Sequence, residues 1–144
     1  MTPLTSFLLV TLAGAFYAAG IVGQVRAPKA TAKTAMTHTL LSGIGFILNL
    51  IPVLGFMLPA TDWMDGPSAV HAAIGIVALL MILVLVMVGG ALMRYKVKSG
   101  LYKSGEDDAF SRKIRRGLRK GGMVWALVWL TAYFTGVGLY FGGA

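Results

Sequence analysis

Four long apolar stretches dominate this sequence of 144 residues and decide which folds are open to it. Each is long enough to cross a hydrocarbon core about 30 Å thick, which needs roughly 17–25 helical residues. They cover residues 4–24, 39–60, 69–93 and 123–142 and are called spans 1 to 4 here. Backbone groups must pair internally in lipid, and none of the spans alternates like a barrel strand. We therefore predict an all-α fold, a four-helix transmembrane bundle in which residues 1–144 form one domain.

The composition supports a membrane setting and excludes several other classes of protein. Hydrophobic residues make up 57% of the chain and charged residues 12%, against about 45–50% and about 25% in ordinary soluble domains. This hydrophobicity excludes a disordered chain. The sequence contains no cysteine, which excludes a disulfide scaffold, thiolate zinc sites and iron–sulfur clusters.

The positions of the charges predict the topology. All thirteen basic residues fall within residues 26–33 and 94–120, which share one side of the membrane if the spans alternate in direction. The positive-inside rule then puts both termini outside and the basic segments in the cytoplasm. We expect a multi-pass protein of the cell's inner (plasma) membrane. No basic residue precedes span 1, so we interpret it as an uncleaved span.

Residues 94–121 form a basic cytoplasmic loop that contains a predicted amphipathic helix. Phe110, Ile114 and Leu118 recur every four residues on one face. Basic residues fill the rest of this segment: Arg112, Lys113, Arg115, Arg116, Arg119 and Lys120. Such a helix binds anionic headgroups at about 1 kcal/mol per basic residue. No aromatic stacking residues lie between these charges, so we expect no nucleic-acid partner.

Two histidines are the main candidates for a cofactor site. His38 opens span 2 and His71 opens span 3, so most of the bilayer thickness, roughly 25–30 Å, separates them. One chain cannot therefore place both on a single haem. We predict a cofactor bound by His71 or by His38, with Arg94 near His38 available for a haem propionate. His71, Met57 and Met64 form a second predicted set, soft enough for copper.

The same residues have a purely structural interpretation, which stays open. A histidine at a helix end often only bonds to a carbonyl or a headgroup, and methionines often fill gaps in a core. In a homodimer, two copies of His71 could face each other. We find no phosphate loop, no zinc-protease motif and no placed nucleophile, so independent catalytic activity is not expected.

Span 2 and span 4 carry further unusual residues. Pro52 removes an amide donor from span 2 and predicts a kink, and Asn49 is the nearby group able to bond within the bundle. Trp129, Tyr133 and Phe134 lie deep in span 4. They are able to line a cofactor, although core packing is the safer interpretation.

The second half of the chain, about residues 70–141, resembles a known family. A histidine opens an aliphatic helix at His71, a basic stretch at Ser111–Arg116 precedes span 4, and the segment Trp129–Tyr140 contains Thr-Gly-Val before its final tyrosine. In these features the chain resembles the CtaM-like assembly proteins, four-helix membrane proteins found beside haem–copper oxidases. The resemblance implies a respiratory setting near haem or copper. Among that family's histidines only His71 carries over, since Ser111 stands where another is usual.

We therefore expect a small respiratory-membrane protein that binds or handles a redox cofactor. Haem b is the first candidate cofactor and copper the second, and the chain would act in electron transfer or in maturation of a larger complex. The alternative is a cofactor-free accessory subunit that contacts lipids through its basic loop. In both cases we expect anionic lipids as partners, together with other membrane subunits or a second copy of the chain.

Overall fold

The computed structural model describes residues 2–26 and 32–142, and every regular element in these ranges is helical. Lys29, part of the first predicted basic segment, lies outside the described residues. The elements follow in the order α1 (Pro3–Arg26), α2 (Ala32–Pro52), a π-helical turn (Val53–Met57), α3 (Leu58–Ala60), α4 (Gly66–Lys98), α5 (Leu101–Ser104) and α6 (Ala109–Phe141).

Four helical stretches are long and apolar enough to cross a membrane, which confirms the predicted number of spans. They are Pro3–Gly20, Met36–Ala60, Gly66–Lys98 and Ala109–Phe141. Most of their apolar side chains face outward, Leu127 with 68% of its surface exposed and Met87 with 65%. In a single small bundle such an outer surface requires lipid around it. The protein is a multi-pass membrane protein.

The bundle consists of two helical hairpins packed side by side. α1 lies against α2 and α4 lies against α6, while contact between the hairpins runs mainly through α2 and α4. Their shared core contains Ala13, Tyr17, Ile82 and Trp125. The Trp125 indole donates a hydrogen bond of 2.9 Å to the carbonyl of Ala78, so α6 is tied to α4 at mid-depth.

The two ends of the bundle are formed by different segments of the chain. The end that we call the terminal end carries the start of α1, the turn at residues 61–65 and the end of α6. The opposite end, which we call the basic end, carries residues 99–108, which connect α4 to α6.

Pro52 is accommodated by a π-helical turn. Proline has no amide hydrogen, so the carbonyl of Leu48 lacks its usual donor and the helix cannot continue in its α form. The π turn Val53–Met57 follows at once, and a further α turn ends at Ala60. The predicted disturbance of span 2 is therefore a widened turn, a common way for a helix to absorb an irregularity.

The basic segment differs from its predicted form. We expected a loop over residues 94–121 holding a separate helix, but α4 continues to Lys98 and α6 begins at Ala109 and runs unbroken through the fourth span. α6 has 33 residues, about 50 Å at 1.5 Å per residue. α6 also packs closely on α4 in this region, since a Cβ on Gly121 would lie 2.9 Å from Leu85 Cδ2. No proline interrupts α6 to break it.

A charged cluster fixes the connection at the basic end. Lys96, only 3% exposed, forms an ion pair with Asp107, which also pairs with Arg115. The neighbouring Asp108 caps α6 by accepting a 2.7 Å hydrogen bond from the amide of Ser111. The Tyr95 hydroxyl donates a hydrogen bond to the same Asp108 carboxylate. These bonds join the end of α4 to the start of α6.

Candidate functional site

His71 is the centre of the site. It lies in the second turn of α4 and is 4% exposed. Its Nδ1 atom is 3.0 Å from the hydroxyl oxygen of Thr135 on α6. The ring is therefore fixed by the helix facing it, and its orientation depends on the packing of α4 against α6.

The Thr135 hydroxyl favours one of the two ring nitrogens of His71 as the site of the proton. It lies 2.8 Å from the Thr131 carbonyl and 3.0 Å from the Ala132 carbonyl, and its single proton can be donated to either carbonyl or shared between them. The hydroxyl can then only accept a hydrogen bond from the imidazole. This arrangement favours the neutral tautomer of His71 that carries its proton on Nδ1 and leaves a lone pair on Nε2.

Nε2 of His71 is buried and has no hydrogen-bond partner among the described residues. An acceptor left unpaired away from water costs about 1–3 kcal/mol. Gly136 sits directly beside the ring, since a Cβ placed there would lie 2.8 Å from Cε1 of His71. The histidine is therefore packed closely on one side, while its second nitrogen stays unpaired within the described part of the chain.

A small, partly open cleft lies in front of His71 at the terminal end. All four long helices contribute to it, α1 through Phe7 and α2 through Asn49. Its walls are rich in aromatic side chains, namely Phe7, Phe56, Trp129, Tyr133, Tyr140 and Phe141. The rings of Phe7 and Tyr133 stack with centroids 5.5 Å apart, and Tyr140 meets the His71 ring edge-on at 6.1 Å. The cleft is thus an apolar, partly open space with His71 in its wall.

Asn49 is a second polar group on the cleft wall. It is 5% exposed and lies on α2. The Tyr17 hydroxyl is beside the Asn49 amide. Both residues belong to the hairpin opposite α4 and α6, so the cleft has a polar group from each hairpin.

The predicted ligands separate into two groups in the structure. Met57 lines the cleft together with His71, but Met64 lies on the turn at residues 61–65, is 96% exposed and does not line it. Arg94 is exposed near the basic end of α4 and is not close to His71. In the described part of the chain, no three histidine, aspartate or glutamate side chains cluster as a metal site would require.

His38 lies far from the cleft, as its place in the sequence predicts. It packs against α1 at Gly20, where a Cβ would be 2.9 Å from its Nδ1. Phe7 of the cleft is 13 residues earlier on α1, about 20 Å along the helix axis. The Nδ1 atom of His38 is also buried without a partner among the residues that the structure describes. His38 does not line the cleft.

The six predicted lipid-binding residues differ in their contacts. Arg112 donates to the carbonyl of Asp107 at 2.7 Å, and Arg115 pairs with the Asp107 carboxylate. The remaining four are exposed and form no ion pair within the residues that the structure describes: Lys113, Arg116, Arg119 and Lys120. These four are the cations available to an external partner.

Comparison with known proteins places the whole chain in one family. A family model described as a domain of unknown function, DUF7321, matches residues 2–143. The chain belongs to this family. No curated protein and no solved structure matches it. The description of DUF7321 names no activity, so the resemblance to CtaM-like proteins stays a prediction.

In this DUF7321 protein, sequence reasoning missed the partners of His71. Thr135 and Gly136 are polar and small residues in an apolar span, and both belong to its Thr-Gly-Val segment. The positions of these residues relative to the ends of their helices could have predicted the contact. Gly136 lies five residues before the end of α6 and His71 five residues after the start of α4, so an antiparallel hairpin puts them at equal depth.

Proposed function

We propose that this chain is a small respiratory-membrane protein whose cleft holds a redox cofactor against His71. It would serve as an electron-transfer subunit or in maturation of a larger redox complex. One observation carries the proposal: the Nε2 atom of His71 is buried with no hydrogen-bond partner among the described residues, while Nδ1 lies 3.0 Å from the Thr135 hydroxyl. A histidine oriented through its second nitrogen is the usual arrangement of a ligand to a metal centre.

Haem b is the cofactor that we test first. His71 would supply the axial nitrogen, and Met57 is a second residue of ligand type on the wall of the cleft. Gly75 leaves open space there, since a Cβ on it meets no atom within 4 Å. Haem would provide one-electron redox chemistry, tuned by its axial ligands and the apolar surroundings. The fit is partial, because the sequence places no basic residue at the terminal end to pair with the propionates.

A visible spectrum of the purified full chain tests this proposal. We expect a sharp reduced-haem band after addition of dithionite, absent in His71→Ala. His38→Ala is the matched control, because this histidine lies about 20 Å away along the bundle and its loss should leave the band unchanged. A preparation that takes up no haem and no other redox cofactor, and that purifies only with other subunits, would instead support the cofactor-free accessory role.

We also propose that both termini face outward across the inner membrane and that the basic end lies in the cytoplasm. The exposed cations of α6 and the excess of basic residues at that end support this orientation. Lys113, Arg116, Arg119 and Lys120 would then contact anionic headgroups. A C-terminal alkaline phosphatase fusion should be active and a fluorescent-protein fusion dark. The reverse result would overturn the orientation.

A further inference from the structure

We propose that the ligand of the cleft is a quinone, bound best in its reduced form with a ring hydroxyl donating to Nε2 of His71. The inference rests on the proposed function, in that it takes the cleft to be a cofactor site, and it names the chemical class of the cofactor. Three properties of the cleft carry it: a lining of uncharged residues, walls rich in aromatic side chains, and hydrogen-bonding groups from both hairpins.

The described residues that line the cleft include no ionised side chain. The titratable groups among them are His71 and the tyrosines Tyr133 and Tyr140. The nearest acidic residues in sequence, Asp62 and Asp65, are exposed on the turn and do not line it. A quinone ring is neutral in both its oxidised and its fully reduced form. Haem and nucleotide cofactors bring carboxylates or phosphates, which need cationic or backbone partners.

The shape of the cleft suits a flat ring with an apolar tail. Phe7 and Tyr133 stack at 5.5 Å in its wall, and Gly75 leaves part of the α4 wall without a side chain. Pro3 and Phe141 are lining residues that are exposed at the terminal end. The opening therefore reaches the outer surface of the bundle, where a tail can lie in lipid.

The polar groups favour the reduced form of the ring. In the tautomer that the Thr135 contacts favour, with the imidazole proton on Nδ1, Nε2 of His71 accepts a hydrogen bond and does not donate one. A hydroquinone hydroxyl can donate to it, whereas a quinone carbonyl cannot. Asn49 offers both a donor and an acceptor, so it can pair with the second ring oxygen in either form. We expect hydroquinone to bind about tenfold more tightly than quinone, the effect of one buried acceptor left unpaired.

Equilibrium binding to the full chain in nanodiscs tests the inference. The probes are decylubiquinol and decylubiquinone, and the signal is quenching of the fluorescence of Trp129, which lines the cleft. Trp129→Phe identifies that signal against the other tryptophans. We expect saturable binding that favours the quinol about tenfold, and loss of this preference in His71→Phe, which removes the acceptor.

A second pair of variants provides a test that does not depend on the folding of His71→Phe. Gly75→Leu adds a side chain on the cleft wall at a position where a Cβ meets no atom within 4 Å, and it should abolish binding of both probes. Gly138→Leu is its matched control, because Gly138 also has open space around it and does not line the cleft. Unsaturable quenching, equal in Gly75→Leu and wild type, would overturn the inference.

Haem titration of the same preparations separates the two proposals. Haem uptake through His71 without saturable quinol binding overturns the quinone inference and leaves the proposed function intact. Absence of both haem uptake and quinol binding overturns both. Equal affinity for quinol and quinone would show that Nε2 is not the acceptor, and it would also contradict the inference.

Discussion

Thr135 and His71 face each other across the α4–α6 hairpin, with the threonine hydroxyl 3.0 Å from Nδ1 of the imidazole. The threonine is thus a positioning residue for the ligand nitrogen. We expect Thr135→Val to weaken cofactor binding about 10–100-fold, the usual effect of losing such a partner. Thr135→Ser keeps the hydroxyl and should restore most of the affinity. Equal affinities in the valine and serine variants would contradict this role.

Gly136 gives His71 the space it occupies. A Cβ at this position would lie 2.8 Å from Cε1 of the ring, so Gly136→Ala must displace the imidazole. We expect weaker cofactor binding together with a loss of about 1–3 kcal/mol in stability, typical of overpacking. Gly138→Ala, with open space around its Cβ position, serves as control and should match the wild type. Thermal unfolding in detergent, read beside a binding titration, measures both effects.

The ion pair between Lys96 and Asp107 gives a prediction about stability. Lys96 is 3% exposed, so removing its partner leaves a buried charge uncompensated. We expect Asp107→Asn to cost about 3–5 kcal/mol of unfolding free energy. The double variant Lys96→Met, Asp107→Asn should recover much of this loss, because Arg115, 37% exposed, remains solvated. An unfolding midpoint of the single variant equal to that of the wild type would rule out this explanation.

Asp108 makes the α4–α6 connection sensitive to acid. The hydrogen bond from the Tyr95 hydroxyl, followed by that from the Ser111 amide, lowers the pKa of Asp108 from 3.8 to about 2. The pKa of Asp108 is lower in the folded chain than in the unfolded chain. Between pH values of about 2 and 4 the unfolded chain therefore binds more protons, and stability rises with pH. The contribution is therefore complete above a pH of about 4 and lost as the pH falls towards 2.

Unfolding midpoints recorded over that acidic range check this prediction. Tyr95→Phe removes the largest cause of the lowered pKa of Asp108. The loss of stability in acid that is attributable to Asp108 should therefore become smaller. Asp108→Ala should remove it altogether. If the unfolding midpoints of both variants depend on acidic pH as those of the wild type do, another group is responsible for the loss of stability in acid.

The sequence predicts the spans well because the bilayer acts on every residue of a span. The four apolar stretches become the four long helices, and the separation of His38 from His71 follows directly from their places at the starts of opposite spans. Met57 also lines the cleft with His71, as one of its predicted partners. These features depend on position along a helix, which hydropathy determines.

Features that depend on contact between helices could not be predicted from the hydropathy of the sequence. The Thr135 bond to His71 requires the register of α4 against α6, which no single helix specifies. The basic segment looks like a separate surface helix by its charge pattern, yet it is continuous with the fourth span, where Gly121 packs close to Leu85. Likewise, the sequence gives Lys96 no feature that sets it apart from the other cations of the basic segment. In the structure it is buried and forms an ion pair with Asp107.

The central claim is that the cleft beside His71 holds a redox cofactor, and the cofactor content of the full chain purified from membranes tests it most directly. Haem and quinone are quantified in extracts of wild type, Gly75→Leu and Gly138→Leu. We predict a cofactor in stoichiometric amount in wild type and in Gly138→Leu, and its loss from Gly75→Leu. Extracts of wild type without haem or quinone, or equal contents in all three proteins, would contradict it.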